Sequence, residues 1–228
     1  MPLKELIKFD TDIAKSYSKY MFIGIDEVGR GALAGPVVAC AFTWKYRDYL
    51  KIGNTYLRSL SDLNDSKELT RCKRNELFKP LTKVGKYALG YASVLEIEKL
   101  NILNATFLAM KRAYEALKSL LNKKDFNSYV LVDGNKFNPF INCRQLPIIN
   151  GDAKSSLIAS ASIIAKLYRD SLMERLSLSD KFNLYGWHTN VGYGTRKHKI
   201  AIRQHGITPL HRKLFVRKAL SEEAILED

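Results

Sequence analysis

The chain of 228 residues is long enough for one large domain with a sizeable core, and 46% of its residues are hydrophobic. Its 37 lysines and arginines exceed its 23 aspartates and glutamates, which gives a formal net charge of +14 at pH 7. This surplus indicates a polyanionic partner, with nucleic acid the first candidate and an anionic membrane surface the second, although basic residues can also serve solubility alone.

The cysteine content and the apolar runs exclude several classes of protein. The three cysteines form no C-x-x-C pair, so neither a disulfide framework nor a cysteine zinc site is indicated. No segment approaches the ~18–20 uninterrupted apolar residues that span a bilayer, and the N-terminus lacks the apolar core of a signal peptide. We therefore expect a cytoplasmic protein that does not engage a membrane.

The first elements predicted along the chain are a helical or irregular lead-in over residues 1–20 and a pair of strands. Residues 21–25 form an apolar run that ends in a turn, and residues 36–42 form a second run that is rich in β-branched residues. The second run begins at Pro36, a position where a strand tolerates proline. A glycine-rich link joins the two runs, so we expect them to pair antiparallel.

The middle of the chain predicts two helices and a third strand. A loop at residues 63–68 leads into a helix that Asp65 or Ser66 could cap and that we expect to end at Pro80. Residues 86–95 predict a strand. Apolar residues then recur at steps of three and four over residues 102–121, which predicts a helix with one buried face.

The second half of the chain continues the alternation of strands and helices. Two short apolar runs predict strands at residues 129–132 and 145–149. Helices are predicted over residues 153–176, 196–205 and 214–225. The first of these is rich in serine and alanine, which indicates close packing, and its predicted buried face consists of Leu157, Ala161, Ile164, Tyr168 and Leu172. Such alternation indicates an α/β layered fold.

Three aspartates stand at the ends of predicted strands. Asp26, Asp133 and Asp152 each follow an apolar run directly or within three residues, and each lies beside or one residue from a glycine. Functional groups gather where the strands of an open α/β sheet end, so these aspartates could form a cluster of four acids with Glu27. The alternative is that Asp133 belongs to a turn and Asp152 caps a helix.

A cluster of four carboxylates is costly without a counter-charge, because like charges raise one another's pKa. Hard divalent cations provide that charge, and carboxylate oxygens suit Mg²⁺ or Mn²⁺ rather than Zn²⁺. Two such ions ~3.5–4 Å apart can activate water and stabilise a leaving oxygen in phosphoryl chemistry. A nuclease combines such an acidic centre with a basic surface. The alternatives are a non-catalytic nucleic-acid-binding protein and a phosphate-binding metabolic enzyme, although the chain lacks both common phosphate-loop motifs.

Histidine and tryptophan residues invite other roles. The spacings of the four histidines match no zinc pattern: they are His188, His198, His205 and His211. His198 and His205 fall on the basic helix predicted over residues 196–205, so we expect them at the surface or in contact with phosphate. Trp44 and Trp187 could stack on bases, but packing is the commoner role of such residues.

Five blocks of sequence follow one another in a recognisable order. They are GIDEVGRGALAGPVV at 24–38, LNDSKELT at 63–70, LVDG at 131–134, GDAKSSLIASASIIAKLYRD at 151–170 and NVGYGTRKHKIAIRQHGITPLHR at 190–212. Together they resemble the type 2 ribonuclease H family, specifically bacterial ribonuclease HII. The resemblance implies a ribonuclease H-like fold in which helices flank a mixed central β-sheet. It also implies a lead-in over residues 1–20, a catalytic domain over 21–212 and a C-terminal helical tail over 213–228.

The resemblance further implies roles for individual residues. Four acids are implied to be catalytic and to bind Mn²⁺ or Mg²⁺, as two ions per site: Asp26, Glu27, Asp133 and Asp152. The 2′-hydroxyl of a ribonucleotide is implied to be recognised by the backbone of Gly29, Arg30 and Gly31 and by the ring of Tyr193. The loop that contains Ser66 and Lys67 resembles the phosphate-contacting segment of the family.

The resemblance implies a metal-dependent endonuclease that acts on RNA–DNA hybrids and on duplex DNA containing single ribonucleotides. The implied cut lies 5′ to the ribonucleotide and leaves 3′-hydroxyl and 5′-phosphate ends. Residues 214–228 lack the glutamine-led aromatic peptide by which some relatives bind the sliding clamp. We therefore expect no clamp binding, and we expect a monomer.

Overall fold

The computed structural model describes residues 3–45, 58–63, 66, 69–121 and 127–224. Its strands are β1 Met21–Val28, β2 Val37–Trp44, β3 Gly85–Ala92, β4 Ser128–Asp133 and β5 Arg144–Ile148. Its helices are α1 Leu3–Ser16, α2 Arg71–Val84, α3 Val94–Leu121, α4 Ser156–Leu176, α5 Trp187–Asn190, α6 Arg196–His205 and α7 Lys213–Ala224. Among the described residues, no helix combines the length and the apolar character that crossing a membrane requires.

The described strands form one mixed sheet in the order β3-β2-β1-β4-β5. Strand β1 pairs antiparallel with β2, and Gly24 lies opposite Phe42. On its other side β1 pairs parallel with β4, which in turn pairs parallel with β5. The predicted antiparallel pair and the predicted mixed sheet flanked by helices are both confirmed.

The chain divides into two compact units, each with its own apolar core. The first comprises Met1–Val28, Val38–Tyr91 and Phe107–Leu167, and its core combines residues of the sheet, α1, α2 and the first part of α4. The second comprises Gly29–Val37, Ala92–Thr106 and Tyr168–Asp228. The buried core of the second unit consists of Leu33, Ala34, Met173, Tyr185, Trp187, Ala201, Ile202 and Val216.

Within the first unit, α4 lies unusually close to β1. A Cβ atom added to Gly24 would overlap the backbone of Leu157 and would lie 2.6 Å from the amide nitrogen of Ile158. The first turns of α4 present small, fully buried side chains, among them Ser156 and Ser160. The interpretation of the serine and alanine run as a close-packing surface is therefore confirmed.

The lead-in forms a regular helix that contributes to the first core. Leu3 and Leu6 of α1 are buried in it. The fully buried carboxylate of Asp10 accepts hydrogen bonds from the Ser156 hydroxyl and from the Leu157 amide, at 3.1 Å for the latter. The first amide groups of a helix have no partner within the helix, and Asp10, on α1, accepts hydrogen bonds from those of α4.

Helix α2 differs from the prediction at both ends. Its N-cap is Thr70, whose hydroxyl accepts from the Lys73 amide at 3.3 Å, rather than Asp65 or Ser66. The helix continues through Pro80 to Val84, because the buried side chains of Leu81 and Val84 anchor its last turn in the core. That packing outweighs the one helical hydrogen bond that proline removes.

Capping residues account for two further boundaries. The predicted strand over residues 86–95 ends at Ala92, because Ser93 caps α3: its hydroxyl accepts from the Glu96 amide, and the Glu96 carboxylate accepts from the Ser93 amide. Inside α3, Asn101 has φ 66° and its side chain accepts from the Asn104 amide at 3.1 Å. This break begins a new helical segment at residue 102, as predicted.

Candidate active site

The register of the parallel strands brings three acids together at one edge of the sheet. Ile25 pairs with Val132, so Asp26 and Asp133 follow at the same level. One carboxylate oxygen from each of Asp26, Glu27 and Asp133 lies within 4.8 Å of the other two. Because the carboxyl ends of parallel strands share an edge, this group stands where a ligand of an open α/β sheet is expected.

Backbone amides hold two of these carboxylates in place. The Glu27 amide donates to Asp26 Oδ1 at 2.7 Å. The Gly151 amide donates to Asp133 Oδ1, also at 2.7 Å. A Cβ atom added to Gly151 would lie 2.6 Å from Ile158 Cδ1 and 3.1 Å from Asp133 Oδ1, so a larger residue there would crowd both side chains.

Asp152 is buried on the 3₁₀ turn Gly151–Ala153, which the chain enters through Asn150 at φ 54°. It lies outside the group defined by the 4.8 Å separation, but its negative charge contributes to raising the pKa of Asp26. Asp152 does not cap α4, because the Ser155 hydroxyl accepts from the Ile158 amide at that position. The helix-cap alternative for Asp152 is therefore wrong.

Electrostatics at the group favour a bound cation. Burial raises the pKa of the Asp26 carboxyl well above 3.8, and the charges of Glu27, Asp133 and Asp152 raise it further. A hydrogen bond from the Ser162 hydroxyl opposes this rise. A divalent ion would offset the repulsion, and clustered carboxylate oxygens are the ligands that Mg²⁺ and Mn²⁺ prefer. The residues present therefore fit such an ion.

Ser66 is connected to the acid group through Ser162, which is hydrogen-bonded to Asp26. Ser66 is 4% exposed, and its hydroxyl is 2.8 Å from that of Ser162. Either of these two hydroxyl groups can be the donor to the other. The Ser66 carbonyl accepts from Arg74 at 2.7 Å. Lys67, the other residue predicted to contact phosphate, lies outside the described residues.

In the second unit, hydrogen bonds to its backbone carbonyl groups hold the Gly29-Arg30-Gly31 turn in place. Gly29 has φ 91°, and a side chain there would collide with Arg169. The Arg30 side chain is exposed. Arg212 is fully buried and donates to the carbonyls of Gly29 at 2.7 Å and Arg30 at 2.8 Å. Burial lowers the pKa of Arg212 to about 9, so its charge persists at neutral pH.

The loop of Tyr193 belongs to the same unit and is held by Arg169. The half-buried Tyr193 ring lies 5.4 Å from the Arg169 guanidinium carbon. Arg169 also donates to the Val191 carbonyl at 2.9 Å and to the Ala34 carbonyl at 3.0 Å. Both sequence elements predicted to read the ribonucleotide are thus supported by buried arginines.

Sequence reasoning missed both arginines. The face predicted for α4 placed Tyr168 in the core, whereas Tyr168 is 40% exposed and Arg169 is fully buried. Arg169 lies four residues before the buried Met173, so both residues lie on the same face of α4. This spacing was the signal in the sequence that Arg169 is buried. Arg212 had no local signal, because its partners lie more than 170 residues away in sequence.

The histidines also differ from the prediction. His198 is fully buried on α6, between the rings of Trp187 and His211, so its predicted surface position is wrong. The hydrophobic side of α6 faces the core of the second unit, and His198 lies on that side. His205 is exposed. Trp187 and Trp44 are buried, which confirms packing as their role.

Comparison with known sequences places this chain near one family. A family model described as Ribonuclease HII matches residues 23–218. A relative named Ribonuclease HII, from Fusobacterium nucleatum, is 49% identical over 203 residues, which cover 88% of each chain.

Solved structures of low sequence identity share the fold. The RNase HII of Archaeoglobus fulgidus, solved in complex with PCNA, is 24% identical with a TM-score of 0.63; the match covers 84% of this chain and 93% of that chain. Bst-RNase HIII, solved in complex with Mn²⁺, is 18% identical with a TM-score of 0.66, and the match covers 89% and 70% of the two chains.

Proposed function

This chain belongs to the ribonuclease HII family and is an endoribonuclease of the ribonuclease H type, and we propose that it acts at RNA–DNA junctions. It cleaves the RNA strand of RNA–DNA hybrids and nicks duplex DNA 5′ to single ribonucleotides, as ribonucleotide excision repair requires. The products carry 3′-hydroxyl and 5′-phosphate ends. The observation that carries the proposal is the group of three acids within 4.8 Å at the sheet edge of a strongly basic chain.

We propose that Asp26, Glu27, Asp133 and Asp152 hold two Mg²⁺ or Mn²⁺ ions. The donor chemistry supports this, and a relative of the same fold has been solved with Mn²⁺. Ions held there would activate a water molecule for attack on phosphorus and stabilise the leaving oxygen.

The protein groups around the acids prepare them for this task. The Glu27 and Gly151 amides fix the orientations of Asp26 and Asp133. Without a cation, burial and like charges destabilise the ionised form of Asp26. A bound cation would neutralise these charges and remove that penalty. The Ser162 hydroxyl favours ionised Asp26. The two amides and the Ser162 hydroxyl therefore hold carboxylate oxygens in place for a hard cation.

Substrate recognition is proposed to rest on the second unit. The main chain of Gly29, Arg30 and Gly31 reads the 2′-hydroxyl, which only a ribonucleotide carries, and the Tyr193 ring provides a face for the adjoining sugar. The buried guanidinium of Arg212 donates to the carbonyls of Gly29 and Arg30. These hydrogen bonds support a fixed backbone in the turn. Lys67 and the loop around Ser66 are proposed to contact phosphate.

Two proposals concern assembly and location. The protein acts as a monomer in the cytoplasm, on nucleic acid alone. The RNase HII of Archaeoglobus fulgidus has been solved in complex with PCNA. Residues 214–228 of this chain lack a glutamine-led aromatic peptide, so we propose that it does not use a sliding clamp in that manner.

The decisive experiment uses a DNA duplex with one embedded ribonucleotide and, in parallel, an RNA–DNA hybrid. Each is incubated with Mg²⁺ or with Mn²⁺, and the products are sized and tested for 3′-hydroxyl ends. We expect a single nick 5′ to the ribonucleotide and multiple cuts in the hybrid. Absence of nicking with both ions would refute the proposed specificity.

A further inference from the structure

Two buried histidines of the second unit lie between the elements proposed to read the ribonucleotide. His198, on α6, and His211, in the segment before α7, are 0% and 1% exposed. Their Nε2 atoms are 3.1 Å apart. Neither histidine has a part in the proposed chemistry of the acids, and such a buried polar pair needs a structural or functional reason.

The contacts of the pair determine where each proton lies. The Trp187 Nε1–H can only donate, and it lies 3.1 Å from His198 Nε2, so this nitrogen is an acceptor. The His198 proton therefore lies on Nδ1 and is donated to the Tyr193 carbonyl at 2.9 Å. His211 must then donate from Nε2, which leaves its Nδ1 to accept the Thr208 amide at 2.9 Å.

This assignment leaves every ring nitrogen satisfied with both rings neutral. A second proton on either ring would put two N–H groups face to face. Burial lowers the pKa of both histidines, and the neighbouring His198 lowers that of His211 further, to about 4. The neutral pair is therefore the form present near neutral pH.

The two ends of this chain of hydrogen bonds reach both reading elements. At one end, His198 holds the Tyr193 carbonyl. At the other, His211 forms a β-bridge with Ala34, and the next residue, Arg212, holds the carbonyls of Gly29 and Arg30. Buried hydrogen bonds, with the peptide link from His211 to Arg212 as the one covalent step, thus connect Tyr193 to the Gly-Arg-Gly turn.

We propose that His198 and His211 are positioning residues that lock the Tyr193 loop and the Gly29-Arg30-Gly31 turn into one rigid ribonucleotide-reading unit. This inference rests on the proposed function for its effect on cleavage. The hydrogen-bonded path itself can be tested without any substrate.

The first test measures the proton positions directly. Long-range ¹H–¹⁵N NMR spectra of the whole ¹⁵N-labelled protein distinguish the two neutral tautomers of histidine. We expect His198 to carry its proton on Nδ1 and His211 on Nε2 at pH 7. The opposite tautomer, or a charged ring, at His198 would overturn the proposal, whether or not the protein cleaves any substrate.

The second test measures the effect on recognition through kcat/KM for the duplex with one ribonucleotide. His198→Phe keeps the ring shape but loses both nitrogens, and we expect kcat/KM to fall about tenfold. His198→Asn retains an N–H near the position of Nδ1, so it should recover most of the loss. The matched control is His188→Gln, because His188 is exposed.

A double-mutant cycle separates positioning from a general packing defect. If His198 acts through Tyr193, adding His198→Phe to Tyr193→Ala should cause no further loss of kcat/KM. Effects that multiply would overturn the proposal. If His198→Phe does not fold, the same cycle is run with His198→Gln, which lacks the Nδ1 donor. If the wild-type protein does not nick duplexes at embedded ribonucleotides, the proposed function is refuted. The tautomer measurement would still show whether the hydrogen bonds between His198, His211 and Tyr193 are formed as proposed.

Discussion

At the scale of single residues, Asp133 is the acid whose role is easiest to isolate. It ends β4 beside Asp26 and Glu27, and its Oδ1 is fixed by the Gly151 amide. An asparagine has nearly the same shape and keeps an acceptor oxygen for that amide. The substitution therefore removes charge with little change in packing.

For Asp133→Asn, we expect cleavage to be abolished and duplex binding to remain largely intact, because metal binding needs the carboxylate charge while duplex binding depends mainly on the basic surface. Single-turnover cleavage and fluorescence anisotropy measure the two effects. The exposed Asp180 provides the control substitution Asp180→Asn. Full activity of Asp133→Asn would contradict the assignment of Asp133.

Ser162 is a second residue whose effect can be measured apart from catalysis. Its hydroxyl is hydrogen-bonded to Asp26 and lies 2.8 Å from the Ser66 hydroxyl. Groups behind a metal ligand commonly change metal affinity about 10–100-fold when removed. For Ser162→Ala we expect Mn²⁺ affinity, measured by calorimetry, to fall about tenfold.

Ser160→Ala is the matched control for this measurement. Ser160 is a buried serine on the same helix, but its hydroxyl donates to the Ser156 carbonyl at 2.6 Å. It should leave Mn²⁺ affinity unchanged. Equal affinities for both variants and the wild type would show that the Ser162 hydrogen bond does not prepare Asp26 for metal.

At the scale of secondary-structure elements, β1 and α4 pack closely in the first unit. For Gly24→Ala we expect a loss of about 1–3 kcal/mol in the free energy of unfolding, because the added methyl group overlaps the backbone of Leu157. Urea denaturation measures this change. At Gly31 an added Cβ meets no atom within 4 Å, so the stability of Gly31→Ala should equal that of the wild type.

The contact of α1 with the start of α4 makes stability depend on pH. Burial raises the pKa of the Asp10 carboxyl from 3.8 to about 6, although hydrogen bonds from the start of α4 oppose this rise. Because the folded state binds this proton more tightly, the contribution of Asp10 is fully present below pH 3.8 and is lost as pH rises through about 6.

The shift of Asp10 corresponds to about 3 kcal/mol. The wild type should therefore lose more stability than Asp10→Asn between pH 4 and pH 7, when each is followed by thermal unfolding in metal-free buffer. Asp26 acts in the same direction and is common to both proteins, so the comparison isolates Asp10. Identical pH profiles would refute the linkage.

At the scale of the whole molecule, we expect the net charge of +14 to dominate association with nucleic acid. Phosphate binding releases counterions, so affinity falls steeply with salt. We expect affinity for a duplex to fall at least about 100-fold between about 50 and about 200 mM salt, with little difference between duplexes with and without a ribonucleotide. Anisotropy titrations in EDTA measure this, and a flat salt dependence would contradict an electrostatic footprint.

The sequence by itself determined the positions of the strands and of most helices along the chain, and it showed that three aspartates follow predicted strands. Periodicity, glycines and caps are local signals, and an acid that ends a strand is visible in the strand itself. Asp26 and Asp133 could therefore be recognised as a possible pair, but only the structure shows that β1 and β4 are parallel neighbours whose ends bring the two acids together.

Tertiary structure decided what local patterns cannot encode. It buried His198, which a basic helix had suggested to be exposed, and it turned the Ser66 hydroxyl towards Ser162. It also gave Arg212 its partners in the Gly-Arg-Gly turn, far away in sequence. The physical reason is that burial and hydrogen-bond partners depend on which distant segments pack together, and that choice is made by the whole core rather than by neighbouring residues.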